Sequence, residues 1–172
     1  MVRNLVIYPF QFVFFVLVQV LILNNVQLSG FINPYLYIIF LLWLPLETPK
    51  WLLLVVGFLL GISVDIFSNT LGMHTSATLF LAFCRPYILQ VLAPREGYEV
   101  NQKPGIKDFG LGRFLGYAGI LTLLHHLFLF YVEVFRFTDF FSTLSRVLLS
   151  SIFTLVLIVI VQFFNYNAED KR

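Results

Sequence analysis

From residue 5 to residue 23 the chain carries no charged side chain, and nearly as apolar stretches return at 34–46, 51–67, 75–92, 113–132 and 143–164. A helix needs about 20 mostly apolar residues to cross the hydrocarbon of a bilayer. A soluble fold built from such segments would leave large apolar patches in water. In lipid the same apolar exterior is the favoured one, provided the backbone is satisfied internally. Hydrophobic residues make up 59% of the chain and charged residues 12%, against about 25% charged in an ordinary domain. The expectation is an all-α, polytopic membrane protein with a single membrane domain over 1–172 and six transmembrane helices.

The second stretch, 34–46, is short for a crossing. It gains length if Asn33 caps it and its far end reaches Pro49. If it does not span, five helices remain and the N-terminus changes sides. The first stretch is too long for a secretory h-region and no A-x-A-like site follows it, so it reads as a retained helix. Orientation follows the Lys/Arg bias of the loops. With six helices and the N-terminus inside, Arg3, Lys50, Arg95, Lys103, Lys107, Arg113, Lys171 and Arg172 fall on the cytoplasmic side. Only Arg136 falls in an external loop. Segment 93–112 mixes Pro, Gly and both charge signs and cannot bury a core; it reads as a cytoplasmic loop. Residues 165–172 read as a polar, frayed cytoplasmic tail.

The net charge of +2 and the lack of a Lys/Arg stripe point away from nucleic acid. Cys84 is the single cysteine, so no internal disulfide is expected. Nucleophile-elbow, zinc-protease and Walker signatures are absent from the sequence. Neither a catalytic centre, a metal site nor a cofactor is expected. His125 and His126 are neighbours on the fifth helix and point about 100° apart, which does not suit chelation of one ion. Glu133, Arg136 and Asp139 read as a small solvated external loop.

Gly57, Gly61 and Asp65 are spaced by four and so share one face of the third helix. Two glycines at that spacing let another helix approach closely, either inside the bundle or at a partner. Asp65 lies about 21 Å along the helix from Trp51, where a carboxylate costs less than the roughly 2.5–3.5 kcal/mol of the bilayer centre. Its simplest role is to accept backbone N–H bonds from the turn at 68–72; binding a ligand or a proton is the alternative. Arg85 precedes Pro86, which leaves a helical carbonyl without its partner. The guanidinium can satisfy such carbonyls or snorkel toward the headgroups. A salt bridge with Asp65 is not expected, because the two fall at depths about 10–15 Å apart. Gln11, Gln19, Gln90 and Gln162 can bridge helices by hydrogen bonds.

The pattern G-x-x-x-D-x-x-x-x-x-x-G through Gly61, Asp65 and Gly72, followed by small residues such as Ala77 and Ala82, resembles the bacterial rod shape-determining MreD family. Where the family often carries Ala three residues after the second glycine, this chain has Thr75. The resemblance implies a non-catalytic scaffold in the bacterial inner membrane, with both termini cytoplasmic. Its implied partners are an MreC-like protein, RodA with a class-B penicillin-binding protein, and indirectly the MreB filament. It also implies a fold similar to the substrate-binding components of energy-coupling-factor transporters, so a small-molecule carrier is the competing function.

Overall fold

The computed structural model describes residues 2–26, 31–70, 72–99, 102–135 and 139–170, with 2–6 and 165–170 as backbone only. Every regular element of any length among them is helical. α1 (Val2–Leu17) continues without a break through a π turn (Val18–Ile22) and a 3-10 turn (Leu23–Asn25). α2 (Ile39–Trp43) follows a 3-10 turn at Leu36–Ile38. α3 (Lys50–Ser68), α4 (Met73–Val91), α5 (Ile106–Val134) and α6 (Phe140–Asp170) are long. Each of these four packs against the next, and α1 lies on α3 and on the segment around α2. Gly110, at φ 72, kinks α5 near its start.

Four helices are long and apolar enough to cross a membrane, at Ile7–Asn25, Lys50–Ser68, Ile106–Val134 and Phe140–Phe164. Their outward faces are apolar, with Phe10, Phe58, Ile66, Ile152 and Phe164 all exposed. That is the surface of a multi-pass membrane protein. α4 has the length of a crossing but stands outside this set. Its buried face carries His74, Thr75, Thr78 and Arg85, and these lower its hydropathy without meeting lipid.

The expected second helix over 34–46 is corrected. Only Leu36–Trp43 is helical, in two short pieces, which at about 1.5–2 Å per residue covers roughly half of a bilayer core. Pro34 and Pro45 bracket the segment and deny it helical hydrogen bonds. It is not a lipid-facing rod. Residues 35–42 are all buried, and the segment runs as a strap through the centre of the bundle. In the segment expected as a tail, the backbone of α6 continues through Asp170. Gly30, Arg136, Lys171 and Arg172 lie outside the described residues.

The bundle has two ends. Asn24, closing α1, donates to the Ser68 hydroxyl at the end of α3 at 2.8 Å. The start of the strap lies toward that end, and its finish, at Leu44 and Pro45, reaches Arg85 and the α3 start at Lys50. The strap thus returns the chain from the Ser68 end to the Lys50 end.

Candidate functional site

Asp65 fixes the α3–α4 hairpin. Its Oδ1 accepts the Thr70 hydroxyl at 2.6 Å and the His74 N–H at 3.0 Å. Its Oδ2 accepts the Thr75 N–H at 2.8 Å and the Thr75 hydroxyl at 2.6 Å. An ionised carboxylate offers about four acceptor positions, and here each oxygen receives two donors. His74 and Thr75 belong to the first turn of α4, whose N–H groups have no intrahelical partner. The carboxylate therefore caps α4 from a neighbouring helix, and its charge sits at the positive end of the α4 dipole. Gly72, the residue before α4, holds φ 80, a conformation that a side chain disfavours.

The glycine face of α3 is covered by this chain's own α4. A Cβ on Gly61 would lie 2.4 Å from the Thr75 Cα and 2.2 Å from the Thr78 hydroxyl. One on Gly57 would lie 3.0 Å from the Ala82 Cβ. Gly57, Gly61 and Asp65 thus meet one stripe of α4, while exposed Gly72 shapes the turn. A partner docking directly on the Gly57–Gly61 face is ruled out by that packing.

The strap is held by side chains. The Asn33 N–H donates to Ser150 Oγ at 3.1 Å and the Tyr35 N–H to Thr154 Oγ1 at 3.0 Å. Four residues along a helix advance about 6 Å, and two along an extended chain about 6.6 Å, so the hydroxyl pair on α6 matches the amide pair on the strap. Gln19, in the π turn that follows α1, donates to the Pro34 carbonyl at 3.0 Å and accepts the Tyr37 N–H at 3.4 Å. Tyr117 of α5 donates to the Leu42 carbonyl at 3.0 Å. Gln162 of α6 accepts the Trp43 indole N–H at 2.6 Å. Irregular backbone at membrane depth is tolerated where protein groups satisfy it. Gln19 and Gln162 therefore bridge to the strap, while the side chains of half-buried Gln11 and exposed Gln90 make no hydrogen bond among the described residues.

Two polar clusters flank the strap. Toward the Ser68 end, the Tyr37 hydroxyl lies 3.2 Å from His74 Nδ1 and 2.9 Å from His125 Nε2. One hydroxyl proton serves only one of these rings, so the other ring donates to the oxygen. His126 turns instead to the Thr122 carbonyl at 2.8 Å through Nδ1 and to Thr154 Oγ1 at 3.1 Å through Nε2. A carbonyl can only accept, so Nδ1 carries the proton and Nε2 accepts the Thr154 hydroxyl. Toward the Lys50 end, Arg85 is fully buried. It donates to the Tyr117 hydroxyl at 2.8 Å, to the Leu44 carbonyl and, at 3.5 Å, to the Pro45 carbonyl. It meets neither Asp65 nor the headgroup region but ties α4 to the strap and α5.

Sequence reasoning passed over Tyr35, Tyr37, Tyr117, Ser150 and Thr154. The usable signal was the four-residue spacing of Ser150 and Thr154 on one face of an otherwise apolar helix. Beyond the histidines, at the Ser68 end, a cleft of about 430 Å³ is lined by Phe31, Glu133, Val134, Asp139, Ser142, Thr143 and Arg146. Arg146 pairs there with Glu133 at 3.1 Å and stacks on Phe130 at 4.3 Å. Among the described residues no group of three or more His, Cys, Asp and Glu is placed to hold a metal ion. Comparison of the chain with known protein families, curated proteins and solved structures finds no match.

Proposed function

We propose that this chain is a non-catalytic scaffold, similar in role to MreD, in the membrane complex that directs bacterial sidewall peptidoglycan synthesis and cell shape. The observation that carries the reading is the use made of Gly57, Gly61, Asp65 and Gly72. These residues, three of which carry the resemblance, form one rigid unit joining α3 to α4. Asp65 has each oxygen occupied by two donors, a stationary arrangement suited to architecture. The strap fills the bundle centre in the same fixed manner.

On this reading the chain crosses the inner membrane six times, the strap making the second passage. The Lys50 end, with Arg95, Lys103, Lys107 and Arg113, faces the cytoplasm together with both termini, as the Lys/Arg bias requires. The partners are an MreC-like protein, RodA with its class-B penicillin-binding protein, and the MreB filament at one remove. They dock on faces other than Gly57–Gly61. The decisive experiment is rescue of rod shape in cells depleted of their MreD, with co-purification of MreC. Rod shape restored together with MreC capture supports the scaffold; neither effect at normal membrane abundance refutes it.

A second reading, a small-molecule-binding component of a vitamin-type transporter, draws on the cleft at the Ser68 end. Its volume of about 430 Å³ falls in the range of ligand pockets. Saturable uptake of a vitamin dependent on Glu133 and Arg146 would favour it.

A further inference from the structure

The cleft at the Ser68 end holds one cation whose donors are already placed. Arg146 lies on the Phe130 ring at 4.3 Å, and its Nη1 donates to Glu133 Oε1 at 3.1 Å. Its Nη2 donates to the Asn33 amide oxygen at 2.7 Å, in the amide orientation that satisfies both atoms of that group. Its Nε is buried without a partner. The guanidinium is part of the wall and is not open to an anion.

The groups left over are acceptors and hydroxyls. A carboxylate offers about four acceptor positions, and Glu133 meets only Arg146 among the described residues. Asp139 precedes α6, and its backbone carbonyl accepts the Thr143 N–H at 2.9 Å. Its exposed carboxylate makes no hydrogen bond or ion pair among the described residues. Thr143 lines the same cleft and is only 4% exposed, yet its hydroxyl has no hydrogen-bond partner among the described residues. A polar group buried in this way calls for one. Asp139 and Thr143 stand one turn apart on α6, and Arg146, a further turn along, brings Glu133 to the same wall. Two carboxylates against one guanidinium and the roughly half positive charge at the α6 start leave the cleft net negative. Phe31 gives it an apolar side.

We propose that this cleft binds a small primary ammonium compound with an apolar body. Its three N–H donors are shared among Glu133, Asp139 and Thr143, and its body lies against Phe31. A divalent metal ion such as calcium takes about six to eight oxygen ligands and finds here only two carboxylates, one of them held by an arginine. The proposal deepens the carrier reading by naming the ligand class of its cleft. Binding alone tests it, so absent uptake would end that reading without touching the site.

Isothermal titration of the full chain in detergent measures this, with benzylamine, its N,N,N-trimethyl derivative, benzoate and calcium as probes. Benzylamine is expected to bind about tenfold more tightly than the trimethyl derivative, which keeps the charge and loses the donors, a gap in keeping with charge-assisted hydrogen bonds. Benzoate should not bind. Asp139→Asn should remove the preference for the primary amine at an unchanged melting temperature. Thr143→Val should weaken benzylamine binding while the melting temperature holds or rises, because the lost hydroxyl had no partner to leave behind. A purely structural Thr143 would lower the melting temperature instead. Absent benzylamine binding, equal binding of the trimethyl derivative, or a preference that survives both substitutions would overturn the site. Displacement of benzylamine by an equal concentration of calcium would overturn the assignment to an amine.

Discussion

The Thr75 amide nitrogen lies 2.8 Å from Asp65 Oδ2, so the first turn of α4 is closed by a carboxylate that belongs to α3. The start of α4 is not complete alone. The same contact holds α4 against Gly61, whose missing side chain lets the Thr75 backbone approach. Cap and close crossing are therefore one device, and changes to either should be felt at both.

Asp65→Leu removes an acceptor from four donors and leaves two α4 N–H groups without a partner. Each buried unsatisfied group costs about 1–3 kcal/mol, so loss of folded protein in the membrane is expected. Asp65→Asn retains one carbonyl oxygen, and its NH2 can be accepted by the rotatable Thr70 or Thr75 hydroxyl. It should lose about 1–2 kcal/mol and keep its abundance. Thermal melts in detergent should rank wild type above Asn and Asn above Leu. Equal melting of Asn and Leu would mean that the charge, not the acceptor geometry, is what α4 requires.

Gly61→Ala already places a methyl 2.4 Å from the Thr75 Cα, a backbone atom that cannot rotate away. The helices must separate, at about 1–3 kcal/mol by overpacking, and Gly61→Leu should be worse. A Cβ at Gly116 meets only Leu92, at 4.0 Å, so Gly116→Leu should cost less than Gly61→Leu. Yield and melting temperature measured side by side check this, and comparable losses at both positions would contradict the close crossing.

Thr154→Val keeps shape but removes the acceptor of the Tyr35 N–H and the donor to His126. A loss of about 1–3 kcal/mol is expected, which for a chain of this size lowers the melting temperature by about 2–4 °C per kcal/mol. Ser145→Ala, whose exposed hydroxyl meets only its own helix at Phe141, should change little. A Thr154→Val protein as stable as Ser145→Ala would show that the strap does not depend on α6.

The membrane class was legible because four of the helices carry apolar stretches long enough to cross a bilayer. The unit at Gly57, Gly61 and Asp65 was legible because a spacing of four survives as a shared helix face. The strap was not. Residues 34–46 are as apolar as a crossing helix, but their apolarity answers to a protein interior. Pro34 and Pro45 mark the departure, and nothing local names the groups that then satisfy the backbone. Those come from Gln19, Tyr117, Ser150 and Thr154, far apart in the chain. Arg85 was hidden likewise. Its proximity to Pro86 suggested a local carbonyl, whereas its acceptors are the Leu44 and Pro45 carbonyls and the Tyr117 hydroxyl.

The proposed six-passage architecture requires the strap to carry the chain from one membrane face to the other without a spanning helix of its own. Single-cysteine labelling of the full chain measures this directly, in a Cys84→Ala background with a membrane-impermeant maleimide applied to intact cells stripped of outer membrane. Asn25→Cys, at the Ser68 end, should label at once. Thr48→Cys, at the Lys50 end, should label only after the membrane is opened. Labelling of both from the same side would contradict the passage of the strap and with it the six-crossing scaffold.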